Sequence, residues 1–551
     1  MDAPDTQRLR VLAIDAELGQ LYARISALTA ERNSMHALNR LPNELFARIF
    51  WYLPGLPSDA VMFVCRRWHT ISVGLPELWS TIEMDTWDAA TLVNALKRSG
   101  SRKLDIRIKS LGKGPEAEQA LGILLENAAR TVSLHVSGPA VEMDEFALRM
   151  QSVQFSTLTT LLLERDGKEM NLDDLWSTRE PEDDKPEEVD LSGMTSLCSL
   201  SLLGACANFE NFKVLLPTLT CLRLAHETPR KVVQLLPFLC FTPNLRSLII
   251  NQAIQRNYRS NTQLPVVALP ALEFLEIVNI EHVDTLLLLG HLQIPPTARL
   301  HVFPHFYNTE DIPPIVAAVT MHAGAPGAPT AQKLLLGNRM PVRSGILRES
   351  HLFVETFTAD EPLTAFWSFK ADRVYSPAPE TRVVDSILRA LAPQHLTTVT
   401  HVHVSGCRVT AAAWKVLFAD GILDAGALRC IDITLDEDST ADSKRFLQAY
   451  AQAKRFGALE TVTVEIGPET PASVVKDLAK LVADLAGAYK KAKGAGKKLP
   501  AVHVRNNILK QSGKKSEPED DDENEDNEDG AVWERVRGLV STFTSESVCL
   551  A

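Results

Sequence analysis

The sequence predicts an α+β chain of several domains: an N-terminal helix, a small all-α unit, and a long α/β solenoid whose strands run parallel. Three observations predict it. Apolar residues recur in steps of three and four over residues 9–35, a short helical run rich in aliphatics and tryptophan follows over 38–84, and an aliphatic motif then returns at intervals of 22 to 31 residues. At about 150 residues per domain, 551 residues allow three or four ordinary domains or one extended array. Apolar residues at 45% and charged residues at 23% suit a core-forming chain.

In the first segment, residues 1–37, the seam is Val11, Ile14, Leu18, Leu21, Ile25, Leu28 and Met35, interrupted at Arg32. That is a heptad pattern on one helix face. About three heptads are marginal for an isolated coiled coil, so two readings stand: an amphipathic helix packed on its own chain, or weak self-association through residues 9–35.

Over residues 41–53, Leu41, Leu45, Ile49 and Leu53 recur every fourth position, with Pro42 in the first turn, where its missing N–H costs nothing. A second helical stretch carries Val61, Val64, Cys65, Trp68 and Ile71, and Leu75, Leu78 and Trp79 close the unit. So short a unit buries little surface, so part of its apolar area awaits another chain or the adjoining array.

The repeat has the form L-x-x-L-x-L. Its clearest copies centre on Leu161, Leu200, Leu222, Leu248 and Leu275, and later on Val402, Ile431 and Val462, with weaker copies at Leu104–Ile108 and Leu134–Val136. Motif and period resemble leucine-rich repeats, which implies stacked parallel strands over residues 85–510 with a core made only by stacking. Cys407 falls where that family uses Asn or Cys to bond the turn after the strand. Residues 303–395 hold no clean copy, so degenerate repeats or an insertion fill them. Residues 164–190 carry 12 acidic against 4 basic side chains and read as a solvated loop. Residues 511–530 form an acidic tail, with 10 acids between 517 and 529. Residues 531–551 read as a C-terminal amphipathic helix, with Val532, Trp533, Val536, Leu539 and Val540 on one face.

The run 38–84 resembles the F-box family. Leu41, Pro42, Glu44, Leu45, Ile49, Phe50, Val64, Cys65, Arg66, Trp68, Leu78 and Trp79 match its order and spacing, while Ala60 stands where the family more often has a larger aliphatic. The resemblance implies a substrate receptor of an SCF-type cullin ubiquitin ligase. On that reading Leu41, Pro42, Glu44, Leu45, Ile49, Phe50, Leu53, Val64, Cys65, Trp68, Leu78 and Trp79 bind a Skp-type adaptor, and through it a cullin, while the solenoid holds an unnamed protein substrate.

Other classes fare worse. A net charge of -12 argues against a nucleic-acid partner, and no apolar run approaches the roughly 18 residues a membrane span needs. The start of the chain does not read as a secretory signal, which places the protein in the cytosol or nucleus. Eight cysteines lack C-x-x-C pairing and zinc spacing, so no metal, cofactor or disulfide framework is expected. G-x-S-x-G, Walker and H-E-x-x-H motifs are missing, so the chain is expected not to be an enzyme. Two alternatives remain: a non-ligase interaction scaffold, and an enzyme in 303–395 with His301, His305, His322 and His351 as raw material. Arg223, Arg246, Glu273 and Glu276 are exposed candidates for substrate contact, without a readable code.

Overall fold

The repeat aliphatics stand in register from strand to strand, which is how isolated motifs become a core. The computed structural model describes residues 3–52, 59–84, 89–110, 114–166, 188–191, 193–204, 206–207, 209, 215–225, 232–252, 263–306, 309–339, 351–358, 367–374, 396–405, 415, 418, 423–424, 426–435, 445–450, 459–466, 501–506 and 543–547. Leu53, Cys407, most of the acidic stretch 164–190, the acidic tail and the Val532–Val540 face lie outside them. The chain divides into two units, Met1–Leu219 and Thr220–Ala551.

In the first unit, α1 (Ala3–Met35) is one continuous helix. It does not bury its seam: exposure runs from 43% at Leu18 to 62% at Met35. Among the described residues nothing covers these side chains, so the packing expected of a helix laid on its own chain is not seen there. A 3-10 turn (Leu38–Arg40), α2 (Asn43–Trp51), α3 (Asp59–Met62), α4 (Arg66–Val73) and a second 3-10 turn (Pro76–Trp79) form the helical module.

The sheet starts at once with β1 (Thr81–Met84), a strand inside the segment predicted to be all-helical. It continues through α5 (Ala89–Arg98), β2 (Leu104–Ile108), α6 (Pro115–Glu126), β3 (Thr131–Pro139), α7 (Ala140–Met150) and β4 (Thr160–Asp166). The short pair β5 (Glu188–Val189) and β7 (Cys206–Ala207) flanks β6 (Ser199–Leu203) in sequence. Strands β1, β2, β3, β4 and β6 are parallel neighbours in that order. Ile82, Ile106, Leu134, Leu161 and Leu200 are Cα partners along one ladder, all fully buried. Period-two alternation puts the residues between them on the other face. Leu92 and Leu96 of α5, Leu121 and Leu124 of α6, and Phe146 of α7 complete the core. Arg130 finishes α5: Nη2 donates to Leu96 O at 3.1 Å and Nη1 to Gly100 O at 2.5 Å, supplying donors to carbonyls at the helix end, while Nη1 also reaches Ser99 Oγ at 3.0 Å.

In the second unit, β8 (Cys221–Ala225), α8 (Val232–Leu239), β9 (Ser247–Asn251), β10 (Val267–Ala268), β11 (Phe274–Glu281), α9 (His282–His291), β12 (Leu292–Gln293), β13 (Arg299–Phe306) and α10 (Ile312–Ala323) follow the same scheme. β8, β9, β11 and β13 are parallel, with Leu222, Leu248, Leu275 and Leu300 in one ladder, and β10 pairs with β12.

Within 303–395, where the sequence left degenerate repeats or an insertion open, the parallel order is interrupted. There β14 (Lys333–Arg339), β15 (His351–Phe357) and β16 (Trp367–Val374) are joined antiparallel, and β16 then lies parallel to β13. The connections, 340–350 and 358–366, are shorter than the dozen or so residues a parallel crossover needs. Beyond this insertion the parallel order resumes with β17 (His401–Ser405), beside β14, then β18 (Cys430–Leu435), β19 (Thr461–Ile466), β20 (Ala501–Asn506) and β21 (Phe543–Ser547). Strand β21 corrects the helix predicted over 531–551 at 543–547 alone, since the rest of that segment lies outside the described residues. Thr544, Ser545 and Ser547 are weak helix formers, and β20 offers the segment a ladder.

Candidate functional site

The helical module is built around aromatic side chains. Phe46 and Phe50 leave α2 one turn apart, and both meet Trp68 of α4 at ring-centroid distances of 5.3 Å. Val61 and Ile71 complete the buried centre, and Leu41, Trp68, Leu75 and Leu78 pack around it half-buried. Tilted and edge-on ring contacts of this kind add about 0.5–1.5 kcal/mol each beyond burial. Polar groups pin the edges. Arg67 Nη2 donates to Leu41 O at 2.6 Å and to Asn43 Oδ1 at 3.0 Å, while its guanidinium lies 5.1 Å from the Phe46 ring centroid.

Trp79 faces the other way. It is buried, its Nε1–H donates to Ser72 O at 2.8 Å, and the Arg98 guanidinium of α5 lies 4.3 Å over its ring. It therefore joins α4 to the first return helix of the sheet.

The sequence-predicted contact residues thus divide in three. Phe50 and Trp79 point inward, Leu41, Cys65, Trp68 and Leu78 are half-buried, and Pro42, Glu44, Leu45, Ile49 and Val64 are exposed. Leu45 and Ile49 are 43% and 41% exposed, one turn apart on α2, and Tyr52 continues that face at 81%. Phe63, next to Val64 between α3 and α4, is 77% exposed. Tyr52 and Phe63 were not among the predicted contacts. Tyr52 lies seven residues from Leu45, so the helical period itself carried the signal.

A second surface lies on the strands, on the side away from the aliphatic ladders. Here polar side chains pair across neighbouring strands. In the first unit Lys109 Nζ meets Glu83 Oε1 at 3.1 Å and His135 Nε2 meets Glu164 Oε2 at 3.7 Å. In the second, His401 Nε2 lies 2.5 Å from Asp432 Oδ2 and His403 Nε2 lies 3.1 Å from Thr434 Oγ1, while Arg246 Nη1 meets Glu273 Oε1 at 3.2 Å just ahead of β9 and β11. Burial would raise the Asp432 carboxyl, but the hydrogen bond and charge of His401, with a hydrogen bond from Thr463, hold it below the usual carboxylate range. Burial also pushes the His403 imidazole down, against the pull of Asp432 and Glu465.

Of the histidines named as catalytic raw material, two have described partners. His301 stacks edge-on to Phe274 at 5.0 Å, and His322 Nε2 lies 3.1 Å from Ala298 O. Among the described residues no group of three or more His, Cys, Asp or Glu is placed to hold a metal, and no helix is long and apolar enough to cross a membrane.

The module thus combines an aromatic centre with exposed aliphatics on α2. Residues 38–85 match the family model of the F-box-like domain. The chain therefore carries an F-box-like domain at that position, and such domains bind Skp-type adaptors. A comparison with curated proteins returns no match.

Proposed function

We propose that this chain is the substrate-recognition subunit of an SCF-type cullin ubiquitin ligase. The F-box-like domain binds a Skp-type adaptor and through it a cullin, and the sheet behind it acts as a leucine-rich-repeat-like solenoid that holds the protein to be modified. The observation that carries this reading is the match over residues 38–85, joined to the exposed Leu45 and Ile49 on α2. The proposed mechanism is proximity: holding a substrate beside a charged E2 enzyme raises the effective concentration of its lysines, and this chain makes and breaks no bonds itself. The polar strand face with His401 and Asp432, and the exposed Arg246 and Glu273 just ahead of β9 and β11, supply the substrate surface in this proposal. Affinity purification of the full chain, followed by mass spectrometry, tests it. Co-recovery of a Skp-type adaptor, a cullin and a protein that accumulates when this chain is deleted is expected. Recovery of the adaptor without a cullin would overturn the ligase role in favour of a scaffold.

A further inference from the structure

Helix α1 presents an apolar seam to solvent that is unbroken from Val11 to Leu28. Val11, Ile14, Leu18, Leu21, Ile25 and Leu28 are all exposed, and their spacing is that of the a and d positions of a heptad. The g positions beside the seam are Arg10, Glu17, Arg24 and Glu31, alternating in sign, and none of the four makes an ion pair among the described residues.

We infer that the occupant of this seam is α1 of a second copy of the chain, running antiparallel, in one particular register. In an antiparallel pair each a residue meets a d residue of the partner, and g positions face g positions. Setting Leu18 against Leu21 of the second copy also sets Ile14 against Ile25 and Val11 against Leu28. All six aliphatics then find partners, and Arg32, which interrupts the seam, falls beyond its end.

Charge selects the same register. Arg10 faces Glu31 and Glu17 faces Arg24, each twice by symmetry. Sliding one heptad in either direction opposes like charges: Glu17 to Glu17 and Arg10 to Arg24, or Arg24 to Arg24 and Glu17 to Glu31. A parallel in-register pair instead brings Arg32 against Arg32 inside the seam. Both favourable contacts and penalties on the alternatives therefore point one way, which is how paired helices acquire specificity.

The interface from Val11 to Leu28 is about 27 Å long at 1.5 Å per residue, so the dimer is weak and concentration-dependent. Its consequence is spatial. α1 runs to Met35, and Asn39 Nδ2 of the helical module donates to Asn33 O at 2.7 Å, so the module is bonded to the C-terminal end of α1. Antiparallel pairing places the two modules at opposite ends of the helix pair, with neither docking face obstructing the other.

Sedimentation equilibrium of the full chain in the micromolar range tests this with three samples: wild type, Glu17→Arg and Arg24→Glu. The wild type is expected to dimerise, and each single reversal to weaken the dimer about tenfold by replacing two attractions with two repulsions. An equimolar mixture of the two variants restores wild-type affinity, because a heterodimer recovers both opposite-charge contacts. Both substitutions keep strong helix formers at exposed positions, and circular dichroism checks that α1 is intact. A monomeric wild type, single variants as tightly paired as wild type, or no gain on mixing would each overturn the assignment.

Discussion

Trp68 donates its indole N–H to Asn39 Oδ1 at 2.7 Å, and the amide of the same Asn39 reaches Asn33 O at 2.7 Å. One side chain thus bonds the end of α1, the 3-10 turn and α4 together. Asn39→Leu removes both bonds and leaves the half-buried indole N–H without its partner. The expected loss is about 1–2 kcal/mol, read as faster amide hydrogen exchange in α4 and a lower first thermal transition. Unchanged exchange in α4 would show that the bond carries no stability.

Gly204, just after β6, has φ near +70°, and a Cβ built there lies 3.1 Å from both Cβ and O of Arg165. The left-handed backbone and the close approach both strain a side chain at this position. Gly204→Ala is expected to destabilise the first unit by about 1 kcal/mol or more, and the Arg165–Asp144 ion pair, now 3.1 Å, is expected to loosen with it. Thermal unfolding of the variant checks this; a wild-type transition would contradict it.

Much of this was legible beforehand, and the reasons are local. Leucines at 161, 200, 222, 248 and 275 announced strands because period-two burial and a regular interval survive without any tertiary information. The helical module was legible from Leu41 to Trp79 for a related reason: helix spacing and tryptophan both mark burial. What sequence could not order was direction. "HLFVETF" reads as a strand either way, and only pairing with β14 and β16 makes β15 antiparallel. Nor could it separate inward from outward members of one motif. Phe50 and Ile49 are adjacent and both apolar, yet the first packs on Trp68 and the second faces solvent. Strand β1 was missed because "TIEM" is too short to show a period.

His322 of α10 gives the second unit a pH dependence. Burial lowers its pKa below 6.5, against the opposing effect of its hydrogen bond to Ala298 O. A base with a depressed folded-state pKa binds fewer protons folded than unfolded, so its contribution to stability declines as pH drops below 6.5 toward the folded value. His403 acts in the same direction. Stability measured by denaturant titration is expected to decline below that pH, and His322→Gln, which keeps an amide donor for Ala298, is expected to flatten the decline. An unchanged slope in the variant would remove His322 from the account.

The central claim is that the exposed aliphatic face of α2 docks the adaptor, and Leu45 and Ile49 test it more directly than Leu41, which also packs into the module's core. Replacing both with Gln removes apolar contact area while keeping a neutral helix former at exposed sites. Apolar anchors at an interface centre are worth at least about 1–2 kcal/mol each, so affinity for a Skp-type adaptor is expected to fall tenfold or more, with the thermal transition unchanged. The measurement is the dissociation constant of the purified full-length chain for that adaptor, wild type against double variant, by titration calorimetry. Equal affinity in the two proteins would contradict the claim, as would a loss of affinity that appears only together with unfolding of the helical module.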